Sequence, residues 1–268
     1  MLQTYVAMVQ ISIFSCGGIA IGLSASHKIV DGLSMSTFMN AWAATARESL
    51  EQINASFVSS TLSPGSRYTS KYSKLFTPAL DVLKTKATTS SLKPSSVTAV
   101  MGLLWKSAIV ASQMKLSLLI PVWPAYAQQG TDSSPELQLL VNCIRNAITT
   151  IYSNFVEGMK GEDRLQKNFE QLFSNPNSSA EDFIISSLCK TGFREVDFGW
   201  GKPIWSFVGR ENRNIYGSRV ERIAWLMDTK SGDGIEAWVT LKEDGMAIFD
   251  KNLELQAFAS LNPAPLES

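Results

Sequence analysis

His27 is the single histidine of the 268-residue chain. Imidazole is the one side chain whose ordinary pKa lets it take and return a proton near neutrality, so His27 is the first candidate for general-base chemistry. Asp31 stands four residues later. On a helix that spacing would place both groups on one face; on a tight loop the carboxylate could turn away and brace the backbone. A His-x-x-x-Asp pattern is short and arises often by chance, so taken alone it favours a histidine simply packed at a strand end.

Other catalytic constellations fare worse. The chain has neither a Gly-x-Ser-x-Gly elbow nor a Gly-x4-Gly-Lys-Ser/Thr phosphate loop, and Gly17, Gly18 and Gly22 fit no dinucleotide fingerprint. One histidine excludes a multi-histidine metal centre, and no metal is expected. Cys16, Cys143 and Cys189 are widely spaced with no Cys-x-x-Cys, which reads as reduced thiols in a cytoplasmic protein. Cys16 lies close enough to His27 for a thiol–imidazole pair, but a small buried residue is the simpler reading. Asp197-Phe198-Gly199-Trp200-Gly201 sets an acid before two glycines that flank a large aromatic. That run suggests a fixed backbone corner with a buried tryptophan, a structural role.

These residues need elements to hold them. Residues 4–14 favour a strand, Cys16-Gly17-Gly18 a turn, and the alternation of Ile19, Ile21 and Leu23 with small residues a second strand, giving a hairpin. Beyond His27, Met35, Phe38, Met39, Trp42, Ala43 and Ala46 recur at helical spacing, with Ser34 or Ser36 as the cap. His27 therefore sits where a strand hands over to a helix. Residues 54–72 read as loop and 75–92 as a short helix. Val97 to Met114 read as a helix capped by serine, Leu116 to Ile120 as a strand, 121–135 as irregular, and Glu136 to Met159 as a long amphipathic helix. Arg222 to Met227 and Ile235 to Leu241 form a second hairpin around 229–234.

Hydrophobic residues make up 45% and charged residues 18%, enough apolar material for a core. Lys+Arg and Asp+Glu are each 24, and this balance argues against general nucleic-acid or membrane-surface binding. Met1 to Ala25 is apolar without an early lysine or arginine, so no secretory signal is expected, and no transmembrane helix either.

His27-Lys28-Ile29-Val30-Asp31-Gly32 resembles the HxxxDG motif of the BAHD acyl-CoA-dependent acyltransferases of plants. Asp197 to Gly201 reads DFGWG, the second hallmark of that family, and runs on into Lys202-Pro203 as in the family. Phe14 to Gly22 resembles the strand before the first motif. Ser231 to Val239 resembles the C-terminal hairpin of the alkaloid-acylating, vinorine-synthase-like branch. The resemblance covers residues 5–50 and 136–250 well and 51–120 loosely.

The resemblance implies an α/β (mixed α+β) fold like chloramphenicol acetyltransferase, with mixed sheets flanked by helices in two half-domains. Residues 1–115 would be the remnant of the first domain, 116–135 an irregular crossover, and 136–268 the second. It implies His27 as general base toward the hydroxyl or amine of a specialised metabolite, acyl-CoA (acetyl-CoA first) as co-substrate, and Asp31 as the brace of the motif loop. Gly32, Asp197, Phe198, Gly199, Trp200 and Gly201 would be structural. Lys202 and Lys230 are possible phosphate neighbours, with a solvated lysine the simpler reading of each. A compact, cytoplasmic monomer is expected.

Two departures from the family pattern set a second reading beside this one. Members carry a large portion before the histidine strand, whereas Met1 here lies 26 residues before His27. Without that portion, sheet edges and apolar faces should be exposed. Members also carry an Asn-Leu-Arg segment whose arginine pairs with the motif aspartate. Here Leu116 to Ile120 runs into Pro121-Val122-Trp123-Pro124, which would leave Asp31 without that partner. The second reading is an inactive fragment of the same family that at most binds a partner.

Overall fold

The computed structural model describes residues 7–25, 30–48, 69–112, 116–120, 125–127, 135–158, 181–206, 208 and 222–261. The chain forms two compact units. The first joins residues 1–66 to 190–219, and the second joins 67–189 to 220–268.

In the first unit, β1 (Ala7–Ile13) and β2 (Ile19–Ala25) form the expected hairpin, with Ala7 opposite Ala25 and Ile13 opposite Ile19. Gly17 closes the turn at φ +84°, where a Cβ would be strained, and the Phe14 amide donates to the Gly18 carbonyl at 2.8 Å. Directly opposed residues share a face, so Val9, Ile11, Ile13, Ile19, Ile21 and Leu23 form one apolar side. Ile21 and Leu23 pack with Met39 and Ala43 of α1 (Gly32–Ala46) and with Val196. Val9, Ile11, Ile13 and Ile19 on the same side are between 45% and 76% exposed. The apolar exposure expected from the sequence is therefore present.

The second unit is built on a seven-stranded mixed sheet in the order β5-β4-β6-β7-β8-β3-β9. Its strands are β3 (Thr69–Phe76), β4 (Leu116–Ile120), β5 (Ala125–Ala127), β6 (Glu181–Ser187), β7 (Ile223–Asp228), β8 (Gly234–Leu241) and β9 (Ser260–Leu261). β4, β6 and β7 run parallel, and the other pairs are antiparallel. Among the described residues its helices are α2 (Thr77–Ala87), α3 (Ser96–Ser112), α4 (Leu137–Gly158) and α5 (Glu243–Phe249), with the single turn α6 (Leu253–Gln256) after them. α3 is apolar nearly all round and lies in the core with Leu103, Leu104 and Trp105 fully buried. Trp105 keeps its indole N–H satisfied on the Leu116 carbonyl at 2.9 Å.

Two sequence expectations need correction. Residues 69–72, read as loop from their Ser/Thr content, begin β3, because an eight-residue register with the buried β8 overrides local preference. Residues 69–112 belong to the second compact unit, so the division is not the consecutive one at 115 and 136. Unit one is instead completed by a later segment, Lys190–Arg219.

Candidate functional site

The site is built around α1. Asp31 leads into it in extended conformation, at φ −95° and ψ 179°. The Asp31 carboxylate accepts from the Ser34 amide at 2.7 Å, and its carbonyl accepts the first helical bond from Met35 at 2.9 Å. Asp31 is therefore the N-cap, and the serines expected in that role lie inside the helix. Its carboxylate is half-buried and engaged by the helix's own first turn. Gly32 is the first residue of α1. His27 lies outside the described residues.

Ser36 is buried because it serves a different segment. Its hydroxyl donates to the Thr191 carbonyl at 2.6 Å. One turn on, the Asn40 amide donates to the carbonyls of Ser36 at 2.9 Å and Gly192 at 3.0 Å. Gly192, at φ +91°, turns the chain into a short 3-10 turn at Phe193–Glu195. Near the end of α1, Arg47 donates its guanidinium to the Asp197 carbonyl. Ser36, Asn40 and Arg47 stand at i, i+4 and i+11, so they share one face of the helix.

Asp197 opens the second motif as a tight corner. Its Oδ1 accepts from the Gly199 amide at 2.7 Å and the Gly201 amide at 2.9 Å. These two backbone donors, aided by the Arg47 and Lys202 charges, hold the Asp197 carboxyl below its ordinary value. Gly199 and Gly201 sit at φ +106° and +103°, conformations that require glycine. Phe198 turns inward to meet Trp42 at 4.9 Å between ring centroids. Trp200 stacks on the outer side of Phe198 at 5.7 Å and is 65% exposed. The expectation of a buried tryptophan is therefore wrong: Phe198 is the aromatic that packs against α1, and Trp200 covers it.

Lys202 forms an ion pair with Glu195, and Lys230 is exposed on a turn. Cys16 is exposed rather than buried, and Cys143 and Cys189 are partly buried. Among the described residues no cluster of His, Cys, Asp and Glu could hold a metal ion, and no helix is long and apolar enough to cross a membrane. Asn40 and Arg47 were not singled out by sequence reasoning, and Ser36 was read only as a helix cap. Their four- and seven-residue spacing beside the apolar stripe of Met39 and Ala43 is the signal that could have found them.

The sequence profile of the Transferase family matches residues 3–71 and 129–256. The chain is 30% identical to the Arabidopsis thaliana protein named BAHD acyltransferase BIA1, over 95% of this chain and 69% of that protein. Among solved structures it is similar to vinorine synthase, with a TM-score of 0.65 and 26% identity over 95% of this chain and 66% of that one. It also matches F. sporotrichioides TRI101 complexed with coenzyme A and T-2, with a TM-score of 0.68, at 15% identity over 96% of this chain and 70% of that one. The shared fold is the mixed α/β, chloramphenicol-acetyltransferase-like arrangement expected from the sequence. The chain spans about two thirds of the length of these proteins.

Proposed function

The chain belongs to the BAHD acyltransferase family, and on that premise we propose that it moves an acyl group from acyl-CoA to a hydroxyl or amine of a plant specialised metabolite. Acetyl is the acyl group proposed first, and an alkaloid or terpenoid alcohol the acceptor class. His27 is the general base. It removes the acceptor proton as the oxygen or nitrogen attacks the thioester carbonyl, a tetrahedral oxyanion forms, and CoA leaves with the proton returned. Asp31 holds the motif loop by capping α1 and carries no proton. Gly32, Asp197, Phe198, Gly199, Trp200 and Gly201 keep the supporting corner in shape. The protein acts in the cytoplasm as a monomer.

One observation supports this reading above the others. Both hallmark motifs fall inside the family match, and the described parts of both are fastened to the same helix, α1. Such a frame is what a preorganised general base requires.

The exposed strip of Val9, Ile11, Ile13 and Ile19 favours a second reading, an inactive member that binds a partner. Hydrolysis of acetyl-CoA by the purified chain separates the two, since water can stand in for the acceptor. Loss of thioester absorbance is the readout to use, because the exposed Cys16 would itself consume a thiol reagent. The enzyme reading expects hydrolysis above background that His27→Ala abolishes. Background rates in both proteins, with and without a panel of acceptor alcohols, would favour the second reading.

A further inference from the structure

We propose that Ser36, Asn40 and Arg47 are positioning residues, through which the Thr191–Gly201 segment sets the placement of α1 and of the His27 segment that leads into it. The inference rests on the assignment of His27 as the base, and adds to it the means by which the second motif acts on the first.

Among the described residues, α1 is held by both apolar packing and directed polar contacts. Its buried apolar residues are Met39, Ala43 and Ala44, with Phe38 and Trp42 partly buried beside Ile21 and Leu23. Non-directional apolar contact of this kind sets axial position less closely than hydrogen bonds with narrow distance limits do. Directed polar contacts supply what the packing lacks. Ser36 reaches Thr191, Asn40 reaches Gly192, and Arg47 reaches Asp197, so the helix is tied at three points along its length. Ser36 and Asn40 donate to backbone carbonyls at 2.6 and 3.0 Å, distances that a one-residue slide of 1.5 Å would break. Trp42 against Phe198 adds a fourth, apolar contact between the third and fourth turns of the helix and the same segment.

The receiving segment is itself rigid for stated reasons. Gly192, Gly199 and Gly201 hold positive φ, and the Asp197 carboxylate ties the amides of Gly199 and Gly201. A rigid corner bonded at three places to one helix fixes that helix as a body. Its N-terminal end is the Asp31 cap, four residues from His27. A displacement of α1 is thereby delivered to the histidine segment through the cap. The corner needs no contact with reacting atoms to influence them.

The test uses the fact that the full chain contains a single histidine, whose imidazole Cε1–H signal is read by NMR without ambiguity. The variants are Ser36→Ala, Asn40→Ala, Arg47→Ala and the milder Arg47→Lys, which can still donate to the Asp197 carbonyl. Thr45→Ala is the control, since the Thr45 hydroxyl bonds back to the Ala41 carbonyl of its own helix. The expected result is that Asn40→Ala and Arg47→Ala move or broaden the imidazole signal by more than its linewidth. Arg47→Lys should restore it toward the parent position, and Thr45→Ala should leave it in place. Unchanged methyl signals from the second unit's core show that each variant is folded. An imidazole signal that stays put in Asn40→Ala and Arg47→Ala, while the Gly192 and Gly199 amide signals move, overturns the proposal. The segment would then rest on α1 without placing the histidine. No turnover is needed, so a failed hydrolysis assay and a failed positioning role are told apart.

Discussion

Trp42 and Phe198 meet nearly at right angles, with ring centroids 4.9 Å apart and an interplanar angle of 83°. The edge-to-face pair is the apolar counterpart of the polar ties between α1 and the second motif, and aromatic quadrupoles favour this geometry. It also fixes which aromatic of the motif carries packing energy. Phe198 lies between Trp42 and Trp200, whereas Trp200 touches Phe198 on one side and water on the other. Phe198→Ala should therefore cost about 2 kcal/mol of the first unit's stability. Trp200→Ala should cost less than about 1 kcal/mol. Urea unfolding followed by circular dichroism measures both, and equal losses would contradict the packing described.

Asp31 offers a separate check on what the motif carboxylate does. Asparagine is as good an N-cap as aspartate, whereas alanine is not. As a cap, Asp31→Asn should stay within about 0.5 kcal/mol of the parent, and Asp31→Ala should lose about 1 kcal/mol. Any thioester hydrolysis should survive in Asp31→Asn. Loss of hydrolysis in Asp31→Asn with unchanged stability would show that the negative charge itself is needed.

Glu254 carries the clearest acid-linked stability in the second unit. Burial pushes its carboxyl up, but Lys106 at 2.7 Å and Lys86 at 2.9 Å outweigh that and hold it below the ordinary glutamate value. A carboxyl lowered on folding adds stability that is complete above its unfolded value, about 4.3, and is lost as pH falls through its folded value. Glu254→Gln should thus lower the melting temperature at about pH 7, and the gap to the parent should close between about pH 4 and the acid limit. A gap that stays constant to acid pH would mean that the lysine pairs contribute nothing through charge.

Much of this architecture is written in local signals. The first hairpin follows from alternation around Gly17, and α3 from an apolar run behind Ser95, whose hydroxyl accepts from the Thr98 amide at 3.1 Å. β7 and β8 follow from apolar runs around a turn whose Asp233 carboxylate accepts from the Thr229 and Ser231 hydroxyls. The misread parts depend on distant partners. Thr69 to Ser73 carry no strand signal of their own and are strand because β8 lies beside them. The burial of Ser36 is decided by the Thr191 carbonyl, 155 residues away. Asp31 was legible as a motif residue but not as a cap, because Ser34 and Ser36 offer the same capping chemistry three and five residues on. The corner at Asp197 was legible from its glycines. The exposure of Trp200 was not, since sequence alone does not say which of two neighbouring aromatics faces in.

The split composition of the first unit has a consequence for how the chain is made. Asn40 must wait for Gly192, 152 residues later, before its bond can form. At the usual pace of about 5–20 residues per second, that wait is roughly 10–30 s of synthesis. Over that interval the nascent hairpin and α1 leave the ribosome without Val196 and Phe198 to cover them, and the second unit's own central strands β7 and β8 are also still unmade. The hairpin strands are made long before the segment that packs against them. Slower translation lengthens that exposure, and a chaperone that shields short apolar strands shortens its effect.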